Sequence, residues 1–263
     1  MGPTLNPRDL LGADELTATA ALFAAGLMAG FVNTVAGAGT LIVYPVLLFL
    51  GYPPITANVS AAVGVLPGSI SGAFGGRSHL AVTWRKAFVP LVSVCAGSIT
   101  GSTCLLVLDP EVFTTLAPGL IVAASLLVVV EPMIRLRLKA SRPQQPRTSI
   151  LAGLLFAAGF YGGYFGAAQG IVLIAVLTTA LPWALTRLNA VKNVLGAVSN
   201  GVAVLLFVTL SHTVAWLPAI SIAAGATIGG LLGARIAPRL PVAVFRAIIM
   251  VLGLVAAATL LRT

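Results

Sequence analysis

Lys192 and Asn193 stand three and four residues after Asn189, and Asn200 follows seven residues after Asn193. At those intervals the four side chains share one face of an α-helix. They bring an ammonium and three amides, with no carboxylate, to a stretch that is otherwise apolar. Such a set supplies N–H donors and one positive charge, the chemistry that replaces the water around an anion. Hydrogen bonding between helices would account for any one asparagine. Lys192 leaves two readings open. An ammonium a turn or more inside a membrane span faces a cavity or a partner, and no acidic residue occurs after Glu131. Its counterion is then either a bound anion or none, the side chain snorkelling with Arg187 to the cytoplasmic interface.

Other polar residues gather at two interruptions of long apolar runs. Asn33 precedes the glycine-rich stretch AGAGT at 36–40, which holds Gly37, Gly39 and Thr40; Gln169 and Gly170 close the stretch GGYFGAAQG at 162–170. Asn58 and Ser60 open the apolar run after the first interruption, as Asn189 opens the run after the second. Glycine-rich backbone inside a bilayer must line a cavity or be buried in protein, because lipid cannot satisfy its polar groups. Short helices starting near Thr40 and Gly170 with their N-termini turned into such a cavity would attract an anion through free N–H groups and the helix dipole. Tight hairpin turns are the plainer alternative. The candidate binding set is therefore Asn33, Gly37, Gly39, Thr40, Asn58, Ser60, Gln169, Gly170, Asn189, Lys192, Asn193 and Asn200.

Little else suggests chemistry. His79 and His212 have no cysteine, carboxylate or second histidine at ligand spacing, so neither a metal nor another cofactor is expected. The serines of GSISG at 68–72 do not match a nucleophile elbow. There is no Walker A sequence. An enzyme is not expected.

The elements that hold these residues follow from charge and hydropathy. Hydrophobic residues make up 59% of the 263 and charged ones 8%, with mean hydropathy +1.07, whereas soluble domains carry roughly 25% charged residues. The six acids fall at the N-terminus (Asp9, Asp14, Glu15), in one turn (Asp109, Glu111) and at the end of an apolar run (Glu131). No carboxylate is midspan. Net charge +9 sits in short loops without an aromatic-lined basic surface, which argues against nucleic acid as a partner. The expected environment is the lipid bilayer, with a small anion as the other partner.

Apolar segments at 56–75, 87–108, 112–131, 188–209, 215–234 and 241–261 are each near the ~20 residues that span hydrocarbon. Segments 17–50 and 149–180 are too long for one helix and read as a helix, a break and a short second helix. Basic loops 76–86, 132–148 and 235–239 should face the cytoplasm, which puts the acidic N-terminus and the Asp109–Glu111 turn outside. Both interrupted segments must then be hairpins, giving each half an odd number of passes. GAGTLIVYP at 37–45 corresponds to AAQGIVLIA at 167–175, Asn58 to Asn189, and Gly97/Gly101 to Gly225/Gly229, at separations of 128 to 131 residues. The expected fold is an all-α polytopic membrane protein: an inverted repeat of two halves, each a broken-helix hairpin plus three transmembrane helices. The first repeat covers 1–134, a basic cytoplasmic linker 135–148, and the second repeat 149–263. Glycines spaced by four, as at Gly64, Gly68, Gly72 and Gly76, read as packing seams.

GAGTLIVYP, then GYPPITAN at 51–58, RLNAVKNVLGAVSNGVAVLLF at 187–207, Trp216 and GATIGGLLGARIAPRL at 225–240 together resemble the TauE/SafE sulfite exporter family over nearly the whole chain after residue 20. The resemblance implies a multi-pass permease of the cell inner membrane that moves sulfite, sulfonates or related organic anions. Gly37, Gly39, Pro45, Asn58, Asn189, Lys192 and Asn200 match the family's recurrent pattern; GAAQG stands where a glycine run is commoner, and Ala175 where a proline often stands. The expected function is secondary transport, as an exporter, of a small anion such as sulfite or a small organosulfonate. An anion channel and an uptake permease for a small carboxylate are the alternatives. Oligomeric state stays open, a homodimer being one option.

Overall fold

In a bilayer, apolar runs of about 20 residues satisfy their backbone only as helices, and helices are what this chain forms. The computed structural model describes residues 15–80, 84–140, 147–211 and 213–236. In order they build α1 (Glu15–Val35), α2 (Thr40–Phe49), α3 (Pro54–Gly75), α4 (Trp84–Val107), α5 (Pro110–Ala140), α6 (Thr148–Tyr164), α7 (Gln169–Ala180), α8 (Leu185–Leu210) and α9 (Trp216–Ile236). Among the described residues there is no strand. Six helices there are long and apolar enough to cross a membrane, beginning with Leu16–Val35 and ending with Trp216–Arg235. The chain is an all-helical, multi-pass membrane protein. The expected span at 241–261 lies outside the described residues, as does His212.

Sequence sets most boundaries locally. Pro54 occupies the start of α3, where its missing N–H costs nothing. Asp109 Oδ1 accepts the Glu111 N–H at 3.0 Å and caps the start of α5. α5 continues to Ala140, through the first residues of the basic stretch expected as the linker. RLRLKA at 135–140 is made of strong helix formers. Glu131 consequently lies inside α5, with its side chain buried.

Glycine seams set the helix directions. A Cβ at Gly26 or Gly30 of α1 would lie 2.3 or 2.1 Å from the Ile222 or Ala226 carbonyl of α9, so the two backbones touch and run in the same direction. α3 runs alongside them: Gly64 meets Ile222, Gly68 meets Ala226 and Gly75 meets Ala234. A second seam joins α4 and α6, where Gly97 and Gly101 meet the carbonyls of Phe156 and Phe160, and Gly159 and Gly163 those of Val94 and Ser98. This pair is parallel too. In contrast α3 and α8 cross antiparallel: Gly76 lies by Ala190, while Asn200 bonds Ser69.

The short helices occupy the middle. Leu41, Val43, Tyr44 and Leu47 of α2 and Leu173 and Leu177 of α7 are fully buried, which suits helices that are apolar all round. Large apolar side chains such as Phe88, Leu126, Leu205 and Ile220 are exposed on the outer helices, where lipid would cover them.

Candidate functional site

The two breaks are built alike. α1 ends at Val35 and α6 at Tyr164, and two residues later Gly37 (φ 79°) and Gly166 (φ 73°) take the left-handed conformation. Gly37 N–H donates to Val32 O at 3.1 Å and Gly166 N–H to Tyr161 O at 3.0 Å, a glycine cap that turns the chain out of the helix. The chain then folds back. A Cβ at Gly39 would lie 2.2 Å from Ala29 O of α1, and Gln169 at the start of α7 reaches Ala158 O of α6. Ala168 also has positive φ, at 60°.

The breaks meet each other directly. Gly170 N–H donates to Gly37 O at 3.1 Å, and a Cβ on either glycine would lie 2.4 Å from the other's Cα. Beside this contact is a small cavity of about 20 Å³, room for roughly one water-sized group. Asn33 and Thr34 of α1, Ser69 of α3, Gln169 and Gly170 of α7, and Lys192, Asn193 and Asn200 of α8 line it, together with Gly37 and Gly166.

Its polar side chains form defined networks. Ser69 Oγ accepts from Asn33 Nδ2 at 2.9 Å and from Asn200 Nδ2 at 3.1 Å, and donates to Val65 O at 3.3 Å. One hydroxyl thus joins α1, α3 and α8 with its bonding capacity filled. Gln169 Nε2 donates to Ala158 O at 3.1 Å and Ser199 Oγ at 2.7 Å, its side chain lying where a Cβ on Gly162 would be. Lys192 is 3% exposed, and its Nζ donates to Thr34 O at 3.2 Å and Asn33 O at 3.5 Å. These carbonyls belong to the last turn of α1, the negative end of that helix. Lys192 therefore turns inward, while the Arg187 guanidinium stacks over the Trp183 ring at 4.0 Å.

Of the twelve residues proposed from sequence, seven line this cavity: Asn33, Gly37, Gln169, Gly170, Lys192, Asn193 and Asn200. Five stand elsewhere. Gly39 packs on α1, and Thr40 is buried at the start of α2. Asn58 Nδ2 donates to Tyr164 O at 3.1 Å, tying α3 to the end of α6. Ser60 Oγ accepts the Ala215 N–H at 2.9 Å. Asn189 Oδ1 is buried without a hydrogen-bond partner. Several of the first N–H groups of the short helices are also engaged, where free donors were expected. Gln169 N–H bonds Gly166 O and Ile171 N–H bonds Ala168 O, while in α2 Leu41 N–H bonds Ala38 O and Ile42 N–H bonds Gly39 O.

Thr34, Ser69 and Ser199 were not foreseen. Ser69 carried a signal, since it follows Asn58 by eleven residues, as Asn200 follows Asn189. Thr34 acts through its backbone carbonyl, and Gly72, a seam glycine, seats against its Oγ1.

Relatives agree with a transport role. A "Probable membrane transporter protein" of Haemophilus influenzae is 30% identical over 218 residues, covering 82% of this chain and 84% of its own. The "Probable membrane transporter protein YfcA" of Escherichia coli is 27% identical over 248 residues, 91% and 88% of the two chains. A similarly named protein, ORF9 of Sinorhizobium, is 25% identical over 221 residues, 82% of each. No solved structure matches. The family model "Sulfite exporter TauE/SafE" matches residues 22–260, and this chain, with its bundle of apolar helices around two touching breaks, belongs to that family of membrane transporters.

Proposed function

We infer that the chain exports a small anion, sulfite or a small organosulfonate, by alternating access between two inverted halves. The observation that carries this reading is the contact of the two breaks, Gly170 N–H to Gly37 O at 3.1 Å, beside a polar cavity. Transporters with inverted repeats place their sites where paired broken helices meet. The antiparallel crossing of α3 and α8 at Ser69 and Asn200 supports the inversion, because those residues are equivalent at the 131-residue separation of Asn58 and Asn189. So does the exchange of partners, α1 on α9 of the other half and α6 on α4. Seven of the polar and glycine positions foreseen from sequence sit together there, and the lining includes an ammonium but no carboxylate.

A cavity of about 20 Å³ holds roughly a water, and a sulfite ion has four heavy atoms. The conformation is accordingly a closed one. Export of an anion runs down an inside-negative potential, gaining about 2.3 kcal/mol per unit charge per 100 mV.

Purified protein in liposomes is the test. Sulfite, taurine, sulfoacetate and small carboxylates trapped inside should exchange with labelled anion outside, and an excess of unlabelled anion on the trans side should accelerate the labelled flux. Flux without trans-acceleration would mean a channel. No flux of any of these anions would refute the substrate class.

A further inference from the structure

A helix that stops inside a bilayer leaves its last carbonyls without intrahelical partners and with a partial negative charge. Transporters with broken helices answer this by placing a coupling cation at such carbonyls. Here the last turn of α1 has the Lys192 ammonium, 3.2 Å from Thr34 O and 3.5 Å from Asn33 O. We propose that Lys192 is a tethered cation, which takes the place of a free monovalent coupling ion at the first break.

The two breaks differ in a way that fits this role. Gly30 of α1 and Gly163 of α6 seat identically, against Ala226 O and Ser98 O. From those points α1 continues five residues to Val35, whereas α6 continues one residue to Tyr164. The additional turn of α1 contains Asn33 and Thr34, whose carbonyls receive the ammonium. Lys192 has Ala61 at the 131-residue separation that relates Asn58 to Asn189, and Ala61 is fully buried. The shorter α6 has instead the neutral amide of Asn58, donating to Tyr164 O at 3.1 Å. Each helix after a break thus sends a donor across to the other half's break, and only the donor that meets the longer helix is charged. The extra turn and the lysine come as a pair.

Two consequences follow. The wild-type protein needs neither Na⁺ nor K⁺ for stability or for anion movement, because its cation is covalently attached. Removing the ammonium leaves two carbonyls and a vacated side-chain volume that a small cation can fill. The reading rests on the breaks forming the transport site, yet its main test needs no substrate.

Purified Lys192→Ala and Lys192→Met are melted in detergent at constant ionic strength, with methylammonium, Na⁺ or the bulky N-methylglucamine as the cation. Wild type should melt at one temperature in all three. Lys192→Ala should melt several degrees lower and recover saturably with methylammonium or Na⁺ but not with N-methylglucamine. Lys192→Met, whose side chain fills the space without charge, should be lower and should not recover. A Lys192→Ala protein that melts like wild type, or one that is destabilised and gains from none of the cations, overturns the proposal. If Lys192→Ala does not fold, wild type still decides: stability or anion flux that requires Na⁺ or K⁺ overturns it, and flux that is unchanged in N-methylglucamine supports it. Absence of anion flux in every buffer would count against the transport reading alone, since the melting series stands without it.

Discussion

Gly196→Ala separates the cavity from the fold. Gly196 lies within α8 on the cavity wall, and a Cβ built there meets nothing within 4 Å. The substitution therefore needs no backbone movement, and replacing a helix-interior glycine by alanine stabilises by roughly 0.8–1 kcal/mol. The added methyl is about the size of the one water-sized group that a cavity of about 20 Å³ accommodates, so it fills the space a substrate would start from. Forcing a methyl's worth of excess volume into a packed site costs about 1–3 kcal/mol, or roughly ten- to a hundredfold in affinity. Gly119→Ala in α5 and Gly153→Ala in α6 also meet nothing within 4 Å, and both sites are exposed away from the cavity. All three variants should melt at or slightly above the wild-type temperature. Only Gly196→Ala should lose anion flux in liposomes. Wild-type flux in a well-folded Gly196→Ala protein would show that the cavity is not on the path, and an equal loss in Gly119→Ala would show that helix rigidity, not occupancy, is being measured.

Gly170→Ala should both destabilise and inactivate, because its Cβ would lie 2.4 Å from Gly37 Cα where ordinary contact begins at 3.4 Å; the breaks must part, at about 1–3 kcal/mol of overpacking, and a lower melting temperature with lost flux checks it. Ala168→Gly should raise stability by about 1 kcal/mol, read as a higher melting temperature, since residue 168 sits at φ 60°, where a Cβ is strained. With Cys95 and Cys104 replaced, a cysteine at position 142 in the basic stretch should react with an impermeant reagent only after the membrane is opened, as basic loops stay cytoplasmic; labelling from outside intact cells would reverse the orientation.

The breaks were legible in the sequence to within a residue or two, because runs of 34 and 32 apolar-rich residues are too long for one helix and glycine clusters interrupt them. Lys192, Asn200 and Gln169 were legible as polar residues within apolar runs. Gly39 and Thr40 at the first break, and Asn58, Ser60 and Asn189 at the heads of the helices that follow the breaks, are outside the cavity. A polar residue that ties two helices together, as Asn58 does with Tyr164 O, looks in one dimension like one that lines a site. Ser69 was obscured by its glycine neighbours in GSISG, of which Gly68 packs on Ala226 of α9 while the serine bonds Asn33 of α1 and Asn200 of α8. The partners of Lys192 could not be read at all, since a carbonyl at a helix end has no residue type. The run of α5 to Ala140 was missed because hydropathy marks where a bilayer ends, not where a helix does.

Two of the bonds that bridge the two halves beside this cavity can be weighed. The Gly170 to Gly37 bond joins backbone to backbone, worth about 0.5–1.5 kcal/mol net, and the Lys192 to Thr34 bond joins a charge to a carbonyl, worth about 1.5–3 kcal/mol. Their sum is roughly 2–4.5 kcal/mol, the few-kcal/mol separation at which a second conformation is rare but reachable. A dianion crossing 100 mV gains about 4.6 kcal/mol, a gain of the same size. Both bonds have one partner in each half. On the proposed reading, an anion that competes with the α1 carbonyls for the Lys192 ammonium is what would open the closed state.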